Sequence, residues 1–222
     1  RRSIVGAIST GTPGCYRKST VIVHTADGDV FGFAKIGLSR LAVERVKNEA
    51  RILKLLADKY HLAGAHFNNP GSRVVVPRLL HDGEFGKAYV LVQSNVPFEV
   101  KRGARNFNRY YADVLLALWE ISSHTEEFQI SDFYRHMETI AEKEISDGPI
   151  VREALKYLRD KIGNEKILFT MAHGDFVPWN TLWSKNGRCF LFDWESSITE
   201  APAGIDLVHF LFQTGYLLEK KR

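Results

Sequence analysis

Apolar and polar positions alternate with two different periods along this chain, and the changes of period mark its elements. Residues 20–25 are rich in β-branched side chains and read as a strand. Ala26-Asp27-Gly28-Asp29 reads as a turn, and residues 30–36 as the returning strand. Over residues 38–60 the period lengthens: Ala42, Val46, Leu53 and Leu56 recur at three- and four-residue spacing, which predicts one long amphipathic helix. Residues 89–93 form another apolar run and lead into Ser94-Asn95-Val96-Pro97-Phe98. Beyond that point the pattern is mainly helical. Residues 106–123 carry Tyr110, Val114, Leu118 and Trp119 in helical register, and residues 131–145 and 150–162 are amphipathic, with Pro149 suited to a helix start. Residues 205–218 are strongly apolar, but too short for a bilayer, which needs about twenty residues.

Two charged residues break these apolar rows. Alternation places Lys35 on the strand face of Phe31 and Phe33. If that face is buried, the ammonium needs an anionic partner. Glu49 stands in the middle of the helical stripe, where a carboxylate is unusual unless paired. Lys35 and Glu49 are therefore expected to meet.

The densest polar pattern is His173-Gly174-Asp175-Phe176-Val177-Pro178-Trp179-Asn180, followed by Asp193-Trp194-Glu195. Asn186-Gly187 lies between apolar runs and signals a two-residue type I′ hairpin. That register sets Lys185 opposite Arg188, Trp183 opposite Phe190, Leu182 opposite Leu191 and Asn180 opposite Asp193. Cross-strand neighbours share a sheet face. Oxygen ligands so placed suit Mg²⁺, which takes one or two carboxylates and completes its shell with phosphate and water. Asp175, on the loop entered from an apolar strand at Ile167-Leu168-Phe169, is placed to accept the proton of an attacking hydroxyl. His173 reads as structural, fixing backbone carbonyls, and His209 as a core or boundary residue. Base plus metal ligands is the set that phosphoryl transfer requires.

His-x-Asp-x4-Asn followed by hydrophobic-Asp-Trp-Glu resembles the aminoglycoside phosphotransferase/choline kinase family of the protein-kinase-like superfamily. The resemblance implies an α+β, two-lobed protein-kinase-like fold: an N-terminal antiparallel sheet with one helix, and a mainly helical C-terminal lobe with a catalytic β-hairpin. It implies Asp175 as catalytic base and Asn180 and Asp193 as Mg²⁺ ligands. Asp206, in Pro202-Ala-Gly-Ile-Asp206-Leu207, would support the catalytic loop from a helix start, and Lys35, held by Glu49, would grip the α- and β-phosphates of ATP. The ATP-binding lobe is expected over residues 1–93, the interlobe hinge over 94–98 and the catalytic lobe over 99–222. Adenine would meet the backbone of Gln93, Ser94, Asn95 and Val96. The glycine-containing segment 6–20 lacks P-loop spacing and opens no helix. It resembles, loosely, a kinase phosphate loop, with Ser9, Thr10 and Thr12 as phosphate contacts and Arg17 and Lys18 either in contact or simply solvated.

The expected reaction is ATP- and Mg²⁺-dependent transfer of the γ-phosphate to a hydroxyl of a small molecule: a sugar, an aminoglycoside or an amino alcohol. A catalytically weak nucleotide-binding module and a protein kinase are the alternatives. The base and metal residues are all present, which disfavours the first. His-Gly-Asp and Asp-Trp-Glu in place of His-Arg-Asp and Asp-Phe-Gly disfavour the second. Trp179 and Trp194 flank the site, to stack on a substrate or to pack the hairpin. The chain ends at Arg222, soon after Asp206, so the second lobe is expected to be trimmed or its acceptor pocket abbreviated.

Composition changes this picture little. The chain has 222 residues, is 45% hydrophobic and carries net charge +4, with a pI near 9.0, which weakly allows anionic partners. No zinc finger or RNA-recognition signature supports nucleic-acid binding. The basic cluster Lys101, Arg102, Arg105 and Arg109 reads as a solvated face. Cys15 and Cys189 form no disulfide framework. With no legible signal peptide or membrane span, a cytoplasmic location is expected, although Arg1 rather than Met stands first.

Overall fold

The computed structural model describes residues 6–10, 13–63, 73–143 and 148–218. Strands β1 (Gly6–Thr10), β2 (Lys18–His24) and β3 (Val30–Gly37) are followed by helix α1 (Arg40–Ala63). Then come β4 (Val74–Val75), β5 (Leu79–Phe85), β6 (Ala88–Ser94) and β7 (Lys101–Arg102). The remainder alternates helices and short strands: α2 (Arg109–Ser122), β8 (His124–Glu127), α3 (Asp132–Lys143), α4 (Gly148–Ile162), β9 (Lys166–Ala172), β10 (Thr181–Trp183), β11 (Cys189–Leu191), β12 (Ile198–Pro202) and α5 (Ile205–Leu218).

The N-terminal part is an antiparallel sheet of order β1-β2-β3-β6-β5, with α1 packed on it. The helix starts where Ser39 Oγ accepts the Ala42 N–H at 3.2 Å, which satisfies a donor with no intrahelical partner. Its inner stripe is the expected one: Ala42, Val46, Leu53 and Leu56 are buried, and Glu49 is buried among them. The C-terminal part holds two small sheets, β4-β11-β10-β7 and β12-β9-β8, surrounded by helices. One apolar core runs through both parts, from Val46, Leu53 and Leu91 to Tyr111, Leu118, Met171, Phe176, Leu191 and Phe210. A satellite cluster of Phe128, Tyr134, Leu155 and Phe169 sits under α3 and α4. Among the described residues no helix is long and apolar enough to cross a membrane.

Three local expectations fail. The buried aromatic of α2 is Tyr111, not Tyr110: Asn108 caps the helix by accepting the Tyr110 N–H at 2.9 Å, and Tyr110 is 60% exposed. Phe31 does not share the buried face of Lys35, because the β2–β3 register shifts between Val23 and His24 and leaves Phe31 at a bulge, exposed. The hairpin register is also displaced by one residue. Its rungs are Thr181 with Leu191, Leu182 with Phe190 and Trp183 with Cys189, closed by Ser184 N–H donating to Arg188 O at 2.9 Å. The loop is thus Lys185-Asn186-Gly187. Only Gly187 takes a positive φ, +77°, whereas a type I′ turn needs two such residues in succession. The observed turn is the three-residue kind, in which a left-handed glycine follows a type I turn.

Candidate active site

The register shift changes how the hairpin presents its polar ends. Asn180 aligns with Phe192, whose N–H donates to Asn180 O at 3.2 Å, and not with Asp193. A one-residue slip turns every strand side chain to the other face. Two breaks in the strands reset the directions. Residues Pro178–Asn180 form a 3₁₀ turn before β10, and Asp193 takes left-handed backbone, φ 70° and ψ 57°, directly after Phe192. Asp193 is the only non-glycine residue with positive φ among the described residues. Aspartate tolerates that conformation better than most side chains, but it still costs free energy, and such residues concentrate at functional sites.

Asp193 is the hub of a charged cluster. Its Oδ1 accepts from Lys35 Nζ at 2.8 Å and from Lys18 Nζ at 2.7 Å, and Lys18 also pairs with Glu195. Lys35 Nζ donates to both oxygens of the fully buried Glu49, at 2.6 and 2.7 Å. Glu49 Oε1 also accepts the Trp194 N–H at 3.3 Å, and Asn48 Nδ2 donates to the carbonyls of Glu195 and Ser197, each at 3.0 Å. Neighbouring residues of α1 therefore clamp the turn that carries Asp193. Burial works against the Lys35 ammonium, but the Glu49 and Asp193 carboxylates outweigh it and hold its pKa above the usual lysine value. Burial likewise opposes the Asp193 carboxylate, and Lys35 and Lys18 overcome it, keeping Asp193 well below the ordinary carboxylate range.

The loop before the hairpin is organised around Asp175. Asn180 Nδ2 donates to Asp175 O at 2.9 Å and to Asp175 Oδ2 at 2.8 Å. Asp206, at the start of α5, accepts the N–H groups of His173 at 2.7 Å and Gly174 at 2.9 Å. His173 is fully buried; its Nδ1 accepts the Asp175 N–H at 3.3 Å, so Nε2 carries the proton donated to Phe192 O at 3.1 Å. Burial lowers its pKa against the pull of Asp206, Asp175 and Asp193, in keeping with a neutral, structural imidazole. Burial raises the pKa of Asp206, although His173 and the two N–H groups oppose this. Gly174 has φ +78°, and a Cβ there would lie 2.1 Å from Ser196 O. Gly174→Ala is expected to destabilise the fold by at least ~1–3 kcal/mol from backbone strain, with the clash adding to it. A thermal melt checks this, and an unchanged Tm would contradict the close approach.

A cleft of about 280 Å³ opens beside the Lys35–Asp193 cluster. Phe33, Leu182, Phe190 and Phe192 form apolar walls; Gln93, the rung partner of Phe33, lines it with Ser94, Asn95 and Val96, and Lys18, Lys35 and Asp193 line it with charge. Two of the linker N–H groups are already engaged: Ser94 donates to Arg78 O at 2.9 Å and Val96 to Asn95 Oδ1 at 2.8 Å. Ser9 and Thr10 are exposed on β1 and are not among the residues lining the cleft, and Thr12 lies outside the described residues. Trp194 is fully buried, donating Nε1–H to Leu191 O at 2.9 Å, so of the two tryptophans only Trp179 is exposed.

The donor set also fits a hard cation. The Asn180 amide spends its N–H groups on Asp175, and both lysines take Asp193 Oδ1. Asn180 Oδ1 and Asp193 Oδ2 accept no hydrogen bond among the described residues, leaving two oxygens of the kind Mg²⁺ takes.

Two residues of the site stand differently from their sequence-based expectation. Lys18, left between a phosphate contact and a solvated lysine, is tied to Asp193 and Glu195; its place was legible, because Thr20 pairs with Lys35 and Lys18 lies two residues before it on the same strand face. His209, one helical turn after Asp206, places Nε2 3.1 Å from Asp175 Oδ1.

No protein-family model matches the sequence, and a search of curated proteins found no significant match. Solved structures do match. A thermostable mutant of aminoglycoside phosphotransferase APH(4)-Ia superposes with TM-score 0.57 at 13% identity, over 97% of this chain and 75% of that one. Aminoglycoside-3′-phosphotransferase of type VIII gives 0.55 at 17%, over 96% and 78%. Choline kinase LicA from Streptococcus pneumoniae gives 0.54 at 13%, over 98% and 72%. At such identities the likeness shows the fold: this chain has the two-lobed, protein-kinase-like architecture.

Proposed function

We propose that this chain is an ATP- and Mg²⁺-dependent phosphotransferase that moves the γ-phosphate of ATP to a hydroxyl group of a small molecule. The observation that carries the reading is the composition of the cleft. Its walls of Phe33, Leu182, Phe190 and Phe192 suit a flat base, and its charged lining of Lys18, Lys35 and Asp193 suits a polyphosphate with its metal. Among solved structures of the same fold, APH(4)-Ia was determined with ADP and hygromycin B, and LicA with AMP.

In this reading residues 1–93 hold the nucleotide, 94–98 are the hinge and 99–222 carry the transfer chemistry. The adenine lies between the aromatic walls, against the backbone of Gln93 to Val96. Lys35, fixed by Glu49, grips the α- and β-phosphates, and Lys18 supplies a second cation at the phosphate end. Asn180 and Asp193 would hold Mg²⁺, which when bound would offset the charge of the phosphates. Asp175, oriented by Asn180, accepts the proton of the acceptor hydroxyl. Catalysis is then mainly positioning and charge stabilisation, because the transferring phosphoryl group is loosely bonded in the transition state.

The test is phosphate transfer from ATP, with and without Mg²⁺, across sugars, aminoglycosides, choline and amino alcohols. Metal-dependent product formation with one acceptor class is the expected result. Tight ATP binding with no transfer to any hydroxyl would leave a nucleotide-binding module instead.

A further inference from the structure

We propose that His209 is a positioning residue for the transfer reaction, holding the carboxylate of Asp175 from the opposite side to Asn180. The proposal rests on the phosphotransferase reading and adds to it a residue outside its motifs. Asp175 Oδ2 accepts from Asn180 Nδ2 at 2.8 Å, and Oδ1 lies 3.1 Å from His209 Nε2. Each carboxylate oxygen therefore has its own tether.

Both tethers are needed on simple grounds. The terminal torsion of an aspartate is broad and roughly two-fold, so one hydrogen bond leaves the second oxygen free to swing. The Asp175 side chain is 37% exposed, so packing alone does not hold it. A general base must lie within hydrogen-bond reach of the proton it takes. A carboxylate has about four lone-pair sites, so the two tethers still leave each oxygen able to receive that proton.

The helix is built to deliver the ring. Asp206 binds the N–H groups of His173 and Gly174, so α5 starts on the loop that carries Asp175. His209 follows at i+3, on the same helix face. Phe210 is fully buried and packs against Phe107, Tyr111 and Phe176, with ring centroids 5.3, 4.7 and 6.0 Å away. The helix can therefore neither slide nor rotate without breaking the loop contact or the core. The bland alternative is a half-exposed His–Asp pair, and such pairs add little to stability. That weakness makes the proposal testable, since removing the ring leaves the fold intact.

The experiment compares the wild type with His209→Ala, His209→Gln, Asp175→Asn and the Asp175→Asn/His209→Ala double variant, using Mg²⁺–ATP and the acceptor found by the transfer screen. His209→Ala is expected to lower kcat roughly tenfold, the scale of effect that sub-ångström misplacement of a reacting group produces. KM for ATP and Tm should be unchanged, and His209→Gln, which keeps an N–H donor, should recover part of the loss. With Asp175 already replaced, removing His209 should cost nothing more. In parallel, ¹⁵N spectra of histidine-labelled protein should show the His209 Nε2 signal moving in Asp175→Asn. Wild-type kcat in His209→Ala, or an equal loss with and without the Asp175 carboxylate, would overturn the proposal. A wild type that transfers no phosphate sinks the phosphotransferase reading itself, and the ring signal then decides alone whether His209 holds Asp175.

Discussion

Asp175→Asn will reduce kcat by about 10²–10⁴-fold, the usual contribution of a positioned general base, while ATP binding is preserved. The substitution is nearly isosteric, and Asp175 is not among the residues lining the cleft of Lys35 and Val96, so that cleft is untouched. An amide in that place keeps one acceptor oxygen for Asn180 and meets His209 only by an N–H donated to the ring, and it cannot take the proton of the attacking hydroxyl. Tm should barely change, because the side chain is partly exposed and the amide oxygen still accepts from the buried Asn180. The measurements are steady-state phosphate transfer, ATP binding by calorimetry and a thermal melt. Full turnover in this variant would remove Asp175 from the mechanism. Loss of ATP binding alongside turnover would mean that the loop shapes the nucleotide site and that Asp175 has no separate role as base.

The Lys35–Glu49 pair was readable because two independent periods each left one ion in an apolar row. Lys35 interrupts a strand of period two, and Glu49 interrupts a helical stripe. Neither ion is tolerable alone in a core, so the pairing follows from cost. The hairpin was readable as a hairpin but not in its register. Asn-Gly serves a two-residue turn and also the end of a three-residue one, and only Gly187 adopts positive φ. The outcome depends on Ser184, which receives the Arg188 N–H on Oγ at 2.9 Å and donates its own N–H to Arg188 O. That closure leaves no strand rung between Asn180 and Asp193. The link between motif and geometry instead passes through the left-handed Asp193, a conformation that no local sequence signal announces. The sequence left Lys18 undecided and His209 a core or boundary residue for a related reason. Their partners, Asp193 and Asp175, are distant in sequence. Continuing the period of β2 back by one step, or of α5 forward from Asp206 by one turn, places both on the faces that matter.

Lys35→Met is expected to cost both turnover and stability, and a second substitution can separate the two losses. With Lys35 gone, the fully buried Glu49 carboxylate keeps, among the described residues, only the Trp194 N–H, at 3.3 Å. Breaking a buried pair from one side typically costs about 3–5 kcal/mol. For a chain of this size each kcal/mol lowers Tm by roughly 2–4 °C, so a thermal melt resolves the effect easily. Replacing both partners, Lys35→Met with Glu49→Leu, removes the stranded charge. Apolar replacement of a buried pair is often neutral or stabilising. Here the Trp194 N–H is left unpaired, which takes back about 1–3 kcal/mol of the gain. The double variant should therefore melt above Lys35→Met and at or below the wild type. Turnover should not return with it. Losing a fixed cation at the phosphate end should cost on the order of 10²–10³-fold in kcat, as losing a single preorganised donor does elsewhere. Recovery of activity together with stability would show that the pair serves only to dock α1 on the sheet, and that Lys35 never touches phosphate. Recovery of stability alone assigns the scaffold to the pair and the chemistry to the lysine.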